Sequence, residues 1–97
     1  MEQEPVEYPV DGVLDLHQFK PGEARSVLEE YLDECRRAGV LRVRIIHGKG
    51  TGTLRRLVHA FLKSCPSVRE FTTPADVSGW GATIAYLEPT QDKTPMP

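Results

Sequence analysis

The chain has 97 residues, 39% of them hydrophobic and 27% charged, with a formal net charge of −2. That length makes one domain with a two-layer core, and no apolar run approaches the roughly 18–20 residues of a membrane span. The acidic, polar start Met1-Glu2-Gln3-Glu4-Pro5 argues against a secretory signal, and Cys35 and Cys65 lack metal-ligand spacing, so buried thiols in a reducing cytoplasm are expected.

Residues 1–12 read as a flexible polar arm ending in the turn pair Asp11-Gly12. Val13 to His17 is a short strand with Val13, Asp15 and His17 on one face and Leu14 and Leu16 on the other. Pro21 suits the first turn of a helix. Ala24, Val27, Leu28, Tyr31, Leu32, Cys35 and Ala38 recur at helical spacing, and Gly39 supplies the stop. Val40 to His47, dense in β-branched residues, is the second strand. A glycine-rich turn leads into a second helix, capped by Thr51 or Thr53, with Leu54, Leu57, Val58, Phe61, Leu62 and Cys65 as its apolar stripe and Pro66 as its end. Val68 to Thr72 is the third strand, Pro74 opens a loop through Gly79-Trp80-Gly81, and Ala82 to Leu87 is the fourth strand. The folded unit is therefore 13–88, followed by a polar tail, 89–97, expected to be disordered.

The turn His47-Gly48-Lys49-Gly50-Thr51-Gly52 carries the most chemical information. Glycines let the backbone approach a ligand closely, and the free N–H groups and positive dipole end of the following helix favour an anion. Lys49 adds a fixed charge, and His47 a group that titrates near neutral pH. Neither G-x-x-x-x-G-K-[ST] nor G-x-G-x-x-G is present, so nucleoside triphosphate binding is not supported. The plainer alternative is that the chain simply reverses tightly here.

Charge is segregated. Between Cys35 and Arg69 lie nine of the twelve Lys and Arg residues and no Asp or Glu. Arg42, Arg44, Lys49, Arg55, Arg56, His59 and Lys63 make the candidate basic surface for the backbone of DNA or RNA. Arg55, His59 and Lys63, four apart, are expected on one exposed helix face, where ordinary solubility is the competing explanation. Trp80 stands alone, with no aromatic platform of the kind that reads single-stranded bases, so backbone or shape recognition is expected.

The order β-α-β-α-β-β makes the first two strands parallel through a right-handed crossover, bringing His17 and His47 to one edge of the sheet with Lys49 and the helix N-terminus. Three segments now carry a resemblance: Leu14-Asp15-Leu16-His17, His47 to Gly52 with Leu54-Arg55, and Gly79-Trp80-Gly81-Ala82-Thr83. Together they resemble the signatures of the Smr (small MutS-related) domain over roughly residues 13–88, as in a stand-alone, single-domain member. The resemblance implies an α/β, two-layer α+β sandwich like the C-terminal domain of bacterial translation initiation factor three. Its four-stranded mixed sheet would have order 1-2-4-3 with the fourth strand antiparallel to the others. That order would bring Gly79, Trp80, Gly81 and Thr83 towards the glycine turn.

The resemblance also implies nucleic-acid binding and endonuclease activity on phosphodiester bonds of DNA or RNA, with a non-catalytic nucleic-acid- or ribosome-binding module as the alternative. Asp15, His17 and His47 become the candidate catalytic residues. Gly48, Lys49, Gly50, Thr51, Gly52, Arg55, Gly79, Trp80 and Gly81 become the candidates for phosphate binding. His17 would act as general base or acid, with Asp15 orienting it or holding a divalent ion such as Mg2+ or Mn2+. Asp15 and His17 would lie roughly 6.5–7 Å apart along an extended strand. His47 would be a second proton-transfer partner, and Lys49 with the N–H groups of Gly48 to Gly52 would stabilise the phosphoryl oxygens. Gln18 and Ser78 stand where many members of the family have glycine; neither change removes an ionisable group.

Overall fold

The computed structural model describes residues 10–76 and 79–89, and of Trp80 the backbone alone. The elements are β1 (Val13–Asp15), α1 (Pro21–Arg37), β2 (Arg42–Ile46), α2 (Thr53–Ser64), β3 (Val68–Thr72), a 3-10 turn (Gly79–Gly81) and β4 (Ala82–Leu87). They form one four-stranded sheet in the order β1-β2-β4-β3. β1 and β2 are parallel, and β4 is antiparallel to both β2 and β3. This is the expected mixed-sheet α+β architecture.

Local signals explain the helix ends. Pro21 opens α1, and the Glu23 carboxylate accepts the Lys20 N–H at 3.3 Å, closing half of a capping box. At the other end the Val40 N–H reaches the Cys35 carbonyl at 2.8 Å and the Gly39 N–H reaches Arg36 at 3.1 Å. This is a Schellman stop, with Gly39 at φ +79°. α2 begins differently from expectation. Gly52 is its N-cap at φ +88°, and Thr51 supports the first turn from one residue further out, its hydroxyl accepting the Thr53 N–H at 3.3 Å.

Both helices pack on one face of the sheet. Leu28, Leu32, Val58 and Leu62 meet Val43, Ile45, Ala85 and Leu87, all essentially buried. Each such aliphatic side chain contributes about 1.5–3 kcal/mol of burial. The other face carries Val13, Arg42 and Arg44, and there the Arg44 guanidinium donates to Asp76 at 2.6 Å. The segment after β3 therefore reaches across the back of the sheet, where Ile84, paired with Arg44, is buried as well.

Asp11 and Gly12, assigned by sequence to the N-terminal arm, take part in the fold. The Gly12 carbonyl accepts the Arg44 N–H at 2.6 Å and its N–H donates to the Tyr31 hydroxyl at 3.1 Å. The rest of that arm up to Pro9, and the tail from residue 90, lie outside the described residues. Cys35 is buried and Cys65 half-buried, both as free thiols. Among the described residues no helix is long and apolar enough to cross a membrane.

Candidate functional site

β1 ends two residues before the alternation predicts, and that shortening builds the site. After Asp15 the Leu16 N–H still donates to Ile46 at 2.7 Å, but His17 has left the strand. The cause is an Asx turn: the Asp15 carboxylate accepts the His17 backbone N–H at 3.0 Å. The turn folds the imidazole back, and Nδ1 lies 2.5 Å from the same carboxylate oxygen. A separation of roughly 6.5–7 Å expected for an extended strand is thus replaced by direct contact.

Both side chains of the pair remain half-exposed, 53% for His17 and 47% for Asp15. Partial burial raises the Asp15 carboxyl. The hydrogen bonds and charge of His17 outweigh it and hold the group below its ordinary value of 3.8. An ionised carboxylate only accepts, so His17 donates from Nδ1.

His47 has the opposite surroundings. It continues the inward-facing side of β2 and is 4% exposed. Its Nδ1 lies 3.2 Å from the Gly48 carbonyl and its Nε2 2.9 Å from the Thr83 hydroxyl, which in turn lies 2.9 Å from His59 Nε2. Donor arithmetic orders the chain. Nδ1 must donate to a carbonyl, so neutral His47 accepts at Nε2 from the Thr83 hydroxyl. That spends the only hydroxyl proton, and His59 donates to the Thr83 oxygen. Burial lowers the His47 ring below 6.5, with the Gly48 carbonyl opposing and Arg55 assisting. Burial also lowers His59, reinforced by the charges of Arg55, His47 and Lys63. The His59 ring packs on Phe71 with centroids 5.0 Å apart.

This chain holds the glycine loop. The Gly48 carbonyl turned towards His47 aims the Lys49 N–H away from the ring, because a trans peptide opposes the two groups. Gly81 clamps the loop from the 3-10 turn before β4, its carbonyl accepting the His47 N–H at 3.0 Å and the Gly48 N–H at 2.9 Å. A methyl group on Gly81 would stand 3.1 Å from Lys49 Cγ. Gly48, at φ +84°, needs glycine for its backbone. Gly50 does not: its φ is unexceptional and an added Cβ meets nothing within 4 Å. The Gly48 N–H, expected among the anion donors, is occupied by Gly81.

A groove of about 540 Å3 runs between the pair and the loop, lined by His17, Phe19, Pro21, His47, loop residues 48–53, Leu54 and Arg55. It brings together His17, His47, Lys49, Gly50, Thr51, Gly52 and Arg55, as the strand order predicts. The basic residues, however, do not form one surface. Arg42 and Arg44 lie on the back of the sheet, Arg44 against Asp76, while Lys49, Arg55, Arg56, His59 and Lys63 lie on the loop and α2. Nor is the row of three on α2 fully exposed: Arg55 is half-buried beside the groove, His59 is half-buried against Thr83 and Phe71, and only Lys63 is open to solvent. The expectation for the Trp80 ring falls outside the described residues. His59 and Phe19 carried no signal of these placements in the sequence, since each depends on contacts across the fold.

The Smr domain family model matches residues 14–88. The chain belongs to the Smr family. The match spans β1 to the residue after β4 and so contains the groove, both histidine groupings and the Gly79–Gly81 turn. In sequence, this Smr domain is 50% identical over 81 residues to endonuclease MutS2 of Thermomicrobium roseum, covering 81% of this chain and 10% of that protein. It is 45% identical over 76 residues to endonuclease MutS2 of Carboxydothermus hydrogenoformans, covering 77% and 10%. The chain thus spans about a tenth of the length of these curated relatives. Among solved structures, the Smr domain of Thermus thermophilus MutS2 matches with a TM-score of 0.77 at 32% identity, covering 79% of this chain and 98% of that one. YdaL, a stand-alone small MutS-related protein from Escherichia coli, matches with 0.75 at 26% identity, covering 84% and 68%.

Proposed function

We propose that this Smr domain binds DNA or RNA and cleaves its phosphodiester bonds, with His17 moving the proton. The observation that carries the reading is the Asp15–His17 pair, 2.5 Å apart and half-exposed at the mouth of a groove edged by a cationic glycine loop. His17 Nε2 takes a proton from the attacking hydroxyl or water, and ionised Asp15 fixes the tautomer and stabilises the imidazolium that forms. Lys49 and the N–H groups of residues 49–52 stabilise charge on the phosphoryl oxygens. Gly50 supports this role, since the fold leaves space there that the backbone geometry does not require. The names of the MutS2 relatives agree with it.

His47 is assigned here to holding the loop rather than to proton transfer, because both ring nitrogens are engaged and burial keeps it neutral. Among the described residues no three His, Cys, Asp or Glu side chains gather around a common point as metal ligands, and Asp15 directs one oxygen at His17. A divalent ion here would therefore rest on Asp15 with water and substrate oxygens, and the proposed proton path runs through His17.

The test is cleavage of supercoiled plasmid and of structured RNA in magnesium, manganese or EDTA, beside His17→Ala. Scission lost in the variant with binding retained is the expected result. Intact substrate in every lane with a retained mobility shift would instead make the domain a non-catalytic binding module.

A further inference from the structure

The groove is larger than the anion its loop would hold. At about 540 Å3 it falls within the roughly 300–1,000 Å3 of sites that enclose a whole small organic ligand. Its lining is also of two kinds. Residues 49–52 supply N–H groups and the Lys49 charge, whereas Phe19, Pro21 and Leu54 supply carbon. Phe19 is half-buried against the hydrophobic core and belongs to no helix or strand. It is held by its backbone, whose N–H donates to the Leu16 carbonyl at 2.9 Å, in the same turn that folds His17 onto Asp15. The backbone that carries the ring is therefore fixed relative to the pair before any ligand arrives.

We infer that this groove is a nucleotide subsite in which the loop takes a phosphate and Phe19 takes the face of an unpaired nucleobase attached to it. The inference rests on the reading of the loop as a phosphate site. A flat aromatic ligand that carries a phosphate suits a cavity with one cationic and one carbon-rich part. Bases inside a duplex have both faces covered by neighbouring bases, so only a single-stranded or unstacked nucleotide can enter. The pair would then act on a phosphate next to an unpaired base. Recognition extends beyond the backbone and shape readout that a lone tryptophan suggests, because the platform residue lies at a turn and not on a strand.

The test uses the whole 97-residue chain and two 12-residue probes of equal charge: a single-stranded oligonucleotide and the same sugar-phosphate chain with every base removed. The native chain is expected to prefer the base-carrying strand by about tenfold or more, given what one stacked base contributes. It is also expected to prefer that strand over its annealed duplex. Phe19→Leu keeps an apolar side chain on the core and should lose the preference while binding the base-free chain as before. Phe19→Tyr keeps the ring and should retain it, which separates stacking from any loss of folding. Equal binding of the two probes by the native chain, or a preference that survives Phe19→Leu, overturns the subsite. Failure of the underlying phosphate reading looks different: Lys49→Ala would then bind both probes as tightly as the native chain.

Discussion

The three histidines of this Smr domain fall into two groupings that use the same side chain in opposite ways. Asp15 and His17 lie half-exposed on a turn, two residues apart, with a carboxylate fixing one ring nitrogen. His47 and His59 flank Thr83 between the helix layer and the sheet, 36 and 24 residues from it, with donors and acceptors matched along the chain. Burial lowers both of these rings, whereas the carboxylate of the first pair is lowered by contact with its own histidine. Chemistry at a substrate needs a ring with a free nitrogen, and holding a loop needs a ring with none. Exposure and partner type, rather than residue type, separate the two proposed roles.

Substitutions that interchange these roles would break the comparison, and His17→Ala is expected to have the largest effect. Its cleavage rate should fall by about 10²–10⁴-fold, with nucleic-acid affinity within a few-fold of native in a mobility-shift assay. Asp15→Asn leaves a hydrogen-bonding side chain but removes the charge that sustains the imidazolium. Its rate loss should not exceed that of His17→Ala, at about 10²–10⁴-fold, with an altered pH–rate profile.

The buried grouping should respond in stability first. Thr83→Val leaves two ring nitrogens without their partner and should cost about 1–3 kcal/mol in urea unfolding, with Thr83→Ser restoring most of it. A Thr83→Val protein as stable as the native one would mean that the chain does not hold the loop. The two glycines of the loop should also part company. Gly48→Ala, forced into left-handed backbone, should lose about 1–2 kcal/mol. Gly50→Ala should stay within about 0.5 kcal/mol of native yet bind oligonucleotides more weakly.

Acid provides the mildest perturbation. His47 and His59 have folded-state values below the unfolded 6.5, so the unfolded chain binds more protons as pH falls through that value. Stability should be fully present above about 6.5 and decline below it. Urea midpoints that stay flat from pH 7.5 to 5.5 would contradict burial of the two rings.

How far the sequence reaches varies by region. Periodicity located α1 from Pro21 to its stop at Gly39, and β3 and β4 with the residues they have in the fold, because their punctuation is local: proline at a helix start, glycine at a stop, proline after a strand. The early end of β1 was not visible, since alternation cannot register a side chain that captures a backbone N–H two residues on. The face of α2 was misjudged for a related reason. A spacing of four places Arg55, His59 and Lys63 in one row but does not say which strand lies beneath them, and β3 and β4 meet His59. The basic segment likewise alternates through β2, which divides its arginines from the cations of the loop and α2.

Order and chemistry along the chain therefore determined, without tertiary information, the elements, the parallel pairing of β1 with β2 and the meeting of LDLH with HGKG at one sheet edge. A right-handed crossover leaves a parallel pair no other arrangement. The resemblance supplied the placement of β4 between β2 and β3. Only the folded molecule decided what each histidine faces. Burial, tautomer and free ring nitrogens depend on partners that other strands and helices deliver, and for His47 and His59 that partner is a threonine on β4, beyond the reach of any local pattern.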